Sequence, residues 1–229
     1  RIVACNAPLF VAEPGGLIRL RRPDEPFEFD SCSHETPFLY QGDEPDVLLW
    51  RVAVDSDTLR GSGRRLPVAL ASHLAISPGE QRLVPGEQRV RVSWPTTSSS
   101  GPAVGSLREV ARALGGEEGG FLWLAFDRER LIGAQAIAPM APSADSEDIL
   151  RSLLCIDSSA SLLQTAATRL FVASDNVDVS IIRNRLRQRR EDDLLDALRR
   201  YQGLPPTSGV RGATRLVNAL EEALPEHQR

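Results

Sequence analysis

Between positions 47 and 54 the chain reads VLLWRVAV, an apolar run with enough alternation for a β-strand, and Asp55, Ser56 and Asp57 end it. Pro67, with Leu66, Leu70 and Leu74 at four-residue spacing, predicts a short amphipathic helix that Pro78 and Gly79 stop. A β-like segment ending at Val84 and a turn at Pro85 and Gly86 lead into RVRVSW, where valines alternate with arginines as in a strand with one buried face. SLREVARALGG opens with Ser106 as the expected N-cap and ends at glycines, so it reads as a second short helix. FLWLAF and LIGAQAI flank the turn-like DRER as a hairpin. Leu70, Leu74 and Gly79 stand forty residues before Val110, Leu114 and Gly119, so one helix, glycine corner and hairpin unit is expected twice, as two halves of one barrel.

The flanks have a different texture. Residues 1–45 are rich in Pro, Gly and acids, with short β-like runs at 2–4 and 17–20, and are expected to be irregular and β-rich and to pack on the barrel of residues 46–138. Residues 139–146 read as a Pro/Ala/Ser linker. Residues 147–229 read as a helical domain, with helices near 147–156, 159–172, 178–202 (broken near Arg190) and 211–224, joined by short connections that favour an antiparallel bundle.

Composition narrows the class. Hydrophobic content of 41% and charged content of 25% are those of an ordinary globular protein. No apolar run is long enough for a membrane span, and Cys5, Cys32 and Cys155 are too few and too scattered for a secreted disulfide framework, so a cytoplasmic protein with reduced thiols is expected. All 27 basic residues are arginine, which points to a GC-rich bacterial genome, and the start at Arg1 suggests a piece of a larger protein. The net charge of −4 argues against a chain coated for nucleic acid, but residues 46–138 hold 11 arginines against 10 acids while both flanks are acidic.

VLLWRVAVDSDTL followed by GRRLPVALASHLAISPGE resembles the opening half of a B3-type DNA-binding domain: a strand, a polar arm, then a proline-led helix. RVRVSW resembles that family's central strand with its tryptophan, and GSLREVARALGGEEGGFLWLAF is similar to its second helix, glycine corner and closing hairpin. The resemblance covers about 90 of the 229 residues. It implies an α+β fold: a seven-stranded open β pseudobarrel with two short helices, here followed by the small C-terminal helical bundle. It further implies two arms that grip the DNA major groove, as in plant transcription factors and the effector domains of restriction enzymes. By position the first arm carries Arg60, Ser62, Arg64 and Arg65, and the second carries Arg91, Ser93, Thr96, Thr97, Ser98, Ser99 and Ser100. One departure stands out: the second corner is Gly119-Gly120 where the family often has Gly-Asp.

The residue chemistry suits such arms. An arginine fork bonds phosphate or a guanine edge bidentately, and serine and threonine hydroxyls bond phosphate oxygens. Arg89 and Arg91 on one strand face would extend the basic surface. The bland alternatives remain open: RGSGRR as a solvated loop, TTSSSG as a connector rather than a phosphate nest, and the arginine-dense helix beyond 178 as a solvated helix pairing Arg with Asp and Glu, not a second DNA surface. Cys32 and His34, near Asp30 and Cys5, are the one grouping suggestive of a metal or thiol nucleophile, and they lack the paired spacing of a zinc site. His73 reads as surface or core filler and His227 as tail. No phosphate loop, dinucleotide fingerprint, HExxH or GxSxG is present, and with no lysine in the chain a nuclease-type acid and lysine cluster is ruled out. The expectation is a non-catalytic module without cofactor or metal that binds double-stranded DNA, with the C-terminal helices meeting other domains or subunits. The alternative is a protein-interaction or structural module without DNA contact.

Overall fold

A computed structural model describes residues 36–96, 101–141, 144–172 and 177–204, together with the paired strands β1 (Phe10–Ala12) and β2 (Ile18–Leu20). The architecture is α+β. One antiparallel sheet runs β10-β9-β4-β3, with β3 at Leu39–Gln41, β4 at Leu48–Ala53, β9 at Phe121–Phe126 and β10 at Leu131–Ile137. The other runs β5-β8-β7-β6, with β5 at Arg64–Arg65, β6 at Gln81–Val84, β7 at Val90–Ser93 and β8 at Ala103–Val104. Three short helices belong to this part: α1 (Ser56–Arg60), α2 (Val68–His73) and α3 (Arg108–Ala113). Apart from the separate β1–β2 pair, the strands among the described residues form these two four-stranded sheets, with no closed barrel, and β3 from the N-terminal segment joins the first.

The period-2 alternation decides what lies between the layers. Leu48, Trp50 and Val52 of β4 and Leu122, Leu124 and Phe126 of β9 point inward with Val84, Val90, Val92 and Val104 of the second sheet and with Leu70, Leu74 and Val110 of the short helices, forming one core. The intervening Leu49, Phe121 and Trp123 face the other way and build a second core with the C-terminal helices. Strands β4 and β9 are therefore buried on both faces, which accounts for their nearly unbroken apolar sequences.

That second layer consists of α4 (Ser146–Leu154), α5 (Leu162–Arg169), α6 (Val179–Arg189) and α7 (Asp192–Tyr201). Asp145 caps α4 and Asp178 caps α6, each accepting a backbone N–H of the first turn. The break expected near Arg190 is there: Arg190 takes the left-handed conformation at φ 59° and ends α6. Trp123 donates its indole N–H to Ser152 O at 3.0 Å, fixing α4 on the sheet. A helix at 211–224 was also expected and lies outside the described residues.

The forty-residue repeat shows in the backbone bonding. Gly79 N–H donates to Trp94 O and Gly119 N–H to Val54 O, while Trp94 N–H returns to Glu80 O and Val54 N–H to Gly120 O. Gly79 and Gly119 sit at φ +93° and +89°, in the left-handed region that glycine adopts without a steric penalty. Each corner thus follows its helix and clasps a strand of the other half.

Candidate nucleic-acid interface

Register places the arginines of the second sheet. Arg65, Ala103, Ser93 and Gln81 align across β5, β8, β7 and β6, and Arg91 shares their face two residues from Ser93. That face is the outward one, because Val92 and Val104, which alternate with these residues, are buried. Arg65 and Arg91 are exposed, as is Arg89 one residue before β7, and among the described residues none of the three has a carboxylate partner. Between them the surface is low: Gly63 and Gly105 flank the β5–β8 pair, and a Cβ on Gly105 would stand 3.5 Å from Arg91 Cβ. The result is a shallow strip edged by three unneutralised guanidinium groups.

The first arm divides into two roles. Arg60 is exposed but bonds Asp57 at 2.5 Å, and Ser62 is exposed beside it. Arg64 points to the opposite face from Arg65, where its guanidinium bonds the carboxylate of Asp55 and, at 2.6 Å, the hydroxyl of Thr58. Asp55 is the N-cap of α1, accepting from Thr58 N–H at 2.9 Å. The hydrogen bond from Arg64, followed by that from the Thr58 backbone, holds the Asp55 carboxyl down at about 2. Arg64 therefore braces the arm, and Arg65 is the residue left to meet a partner.

The second arm leaves β7 through Trp94, and Thr96 is exposed with its methyl beside Gly79. Thr97, Ser98, Ser99 and Ser100 lie outside the described residues. The chain returns at Pro102, whose carbonyl accepts from Leu66 N–H at 2.9 Å. The first arm thus reaches β5 at the Val104 end of β8, while residues 101–102 lead into β8 at its Ala103 end.

No family model, no curated protein and no solved structure matches this chain. Among the described residues no three His, Cys, Asp or Glu side chains gather as a metal site requires, and no helix is long and apolar enough to cross a membrane. Cys5, Cys32, His34 and His227 lie outside the described residues. His73 is partly buried on α2, where desolvation lowers its pKa and its Nε2 has no hydrogen-bond partner.

One constellation escaped the sequence reading. Arg189, at the end of the arginine-dense helix, is 1% exposed, and its Nε donates to Glu191 Oε1 at 2.7 Å, with Glu191 itself 1% exposed. The Tyr40 hydroxyl donates to the other Glu191 oxygen, and Arg189 Nη2 donates to Leu39 O at 2.5 Å. Burial, outweighing the nearby Arg51 charge, keeps the Tyr40 phenol protonated well above its usual range. Arg51 joins from β4, 3.6 Å from Glu191 and 2.6 Å from Asp193. The legible signal was position: Arg189 follows the buried Ile182 and Leu186 at helical i, i+4, i+7 spacing, so it falls on the apolar stripe.

Proposed function

We propose that this chain is a non-catalytic duplex-DNA recognition module of a larger bacterial protein, a component of a restriction or defence system acting in the cytoplasm, and that it binds through the outward face of its second sheet. The observation that carries the reading is the set of exposed, unneutralised arginines, Arg65, Arg89 and Arg91, along the low strip of Gly63, Ala103 and Gly105. Guanidinium groups without a carboxylate partner gain most from phosphate, and glycine and alanine let a nucleic-acid backbone approach closely. The order of elements adds weight. Residues 46–138 contain seven strands, β4 to β10, with α2 after the second and α3 after the fifth, as an open pseudobarrel of B3 type would have, and with the one-turn α1 as an addition between the first and second. Arg60, Ser62 and Thr96 would contact the duplex beside the strip and Ser93 on it, and Thr97, Ser98, Ser99 and Ser100, outside the described residues, would add hydroxyls to the second arm. The C-terminal helices would tie the module to neighbouring domains or subunits.

Fluorescence anisotropy with a labelled duplex tests it. Affinity should fall on the order of tenfold or more between about 50 and 200 mM salt, and Arg89→Ala with Arg91→Ala should lower the slope of log K against log salt by about 2. Binding that ignores salt, or ignores both substitutions, removes the proposal. Leu83, 52% exposed next to Arg91 on β6, and Ile132, 44% exposed on β10, favour a second reading, a protein-interaction module. A stable protein complex whose formation excludes no DNA binding, because there is none, would decide for it.

A further inference from the structure

On the helical side of the first sheet lies a cavity of about 590 Å³, within the size range of small-molecule sites. Its walls are mostly apolar: Phe38, Phe121, Met140, Ile149 and Leu153, with the backbone of Gly119 and Gly120. The one buried charged group on its lining is Arg51, whose side chain is 4% exposed. Neither this cavity nor Arg51 has a part in the proposed DNA contact, which uses the second sheet.

Charge on the lining is unevenly secured. Behind the cavity, Arg51, Arg189 and Glu191 are all buried, with Arg189 Nε 2.7 Å and Arg51 Nη2 the more distant 3.6 Å from the Glu191 carboxylate. The second negative charge is Asp193, whose carboxylate bonds Arg51 Nη2 at 2.6 Å but is 48% exposed to water. Arg51 Nη1 has only a long contact, 3.5 Å, to Leu153 O. Arg51 thus brings a fixed fork to the cavity lining, with Nη1 weakly used and Nη2 held by an anion that water already reaches. At the rim Asp196 and Arg200 contribute one charge of each sign.

The fork is held in place. Its Cζ lies 5.2 Å from the Phe38 ring centre, 5.8 Å from Tyr40 and 5.7 Å from Phe121. Phe38 adopts φ +62°, a region costly for a bulky side chain, and two bonds keep it there: its N–H donates to Glu191 Oε1 at 3.3 Å and its carbonyl accepts from Arg51 N–H at 2.9 Å. The same buried carboxylate that steadies Arg51 thus also sets a 42% exposed aromatic ring at the cavity.

From this geometry we infer that the cavity is a binding site for a small apolar monocarboxylic acid, whose carboxylate takes the Arg51 fork in place of Asp193 while its hydrocarbon or aromatic body rests against Phe38, Phe121 and Met140. A neutral amide of the same shape carries no charge to replace that of Asp193 at the fork. A dianion would meet Asp193 and Asp196 at close range.

Isothermal titration of the whole chain with phenylacetate and with phenylacetamide tests the assignment. The acid should bind at least about tenfold more tightly than the amide, the difference expected of one charge-assisted bidentate contact. Asp193→Asn removes the competing anion, so it should tighten the acid by about three- to tenfold and leave the amide unchanged. Ala53→Phe, at an exposed position on the lining, should abolish binding of the acid with little change in melting temperature. Equal affinity for acid and amide, no binding of the acid, or an acid affinity unmoved by Ala53→Phe overturns the assignment. Should Asp193→Asn fail to fold, the wild-type comparison and the Ala53 variant still decide it.

Discussion

Arg64 and Val104, forty residues apart, are direct cross-strand partners in the second sheet. Forty residues is also the offset of the internal repeat, so equivalent positions of the two halves meet there, on antiparallel strands. This pairing sends Arg64 inward to Asp55 and leaves Arg65 outward. Their substitutions should separate. Arg65→Ala is expected to weaken duplex binding and reduce the salt slope by about 1 with little change in stability. Arg64→Ala should instead lower the melting temperature, with a secondary effect on binding, and thermal melts beside anisotropy titrations check both.

The Asp55 carboxyl titrates at about 2, against 3.8 for a free aspartate. Its depressed value means that the native state holds the charged form, so its contribution to stability is complete above about pH 4 and is lost as pH falls towards 2. Asp55 is nearly half exposed, so solvent screening keeps that contribution small. Acid melts between pH 5 and 2 should show a shallower fall for Arg64→Ala than for the wild type, since the hydrogen bond that depresses Asp55 is gone.

Glu191 carries the heaviest electrostatic load, with Arg189, Tyr40, Phe38 N–H and Arg51 all directed to it. Removing one partner of a buried pair strands the other, so Glu191→Leu should cost on the order of 3 to 5 kcal/mol in urea unfolding. The double variant Arg189→Met with Glu191→Leu should recover part of that, because the buried guanidinium leaves with its carboxylate and Arg51 keeps Asp193. Tyr40→Phe removes one hydrogen bond and should cost about 1 kcal/mol.

Much of the fold was legible because its signals are local. The valines of RVRVSW are buried and its Arg91 exposed, as alternation requires, and the helix break falls at Arg190. Ser106 was expected as an N-cap, and its Oγ does accept an N–H, that of Arg108 at 3.2 Å, although α3 begins one residue later than such a cap implies. What the sequence concealed is tertiary. RGSGRR read as a loop, yet Arg64 and Arg65 form a strand whose partner, β8, lies nearly forty residues further on. The ion pairs of Arg64 and Arg189 turn two residues that read as surface charge into parts of the framework, and neither partner's position follows from spacing alone. The division of the strands between two sheets depends likewise on long-range pairing of β4 with β9.

The Gly119-Gly120 corner has a packing cause. Gly119 needs its positive φ, but Gly120 needs absence of bulk: a Cβ there would collide with the Ile137 carbonyl oxygen, with Glu117 O at 3.2 Å and Ala138 C at 3.3 Å. All three obstacles are backbone atoms, which cannot rotate away, and Gly120 also accepts from Val54 N–H while donating to Glu117 O. An aspartate is therefore excluded at this position whatever its polarity. Gly120→Ala should cost on the order of 3 kcal/mol by displacing the start of β9 from the end of β10. Gly101→Ala is the matched control, since nothing lies within 4 Å of its added Cβ, and it should change stability by less than about 0.5 kcal/mol. Denaturant unfolding of the two variants side by side measures the difference; similar midpoints would mean that the corner is looser than its bonding indicates, and that the repeat-related clasp at Gly79 and Trp94 carries the fold instead.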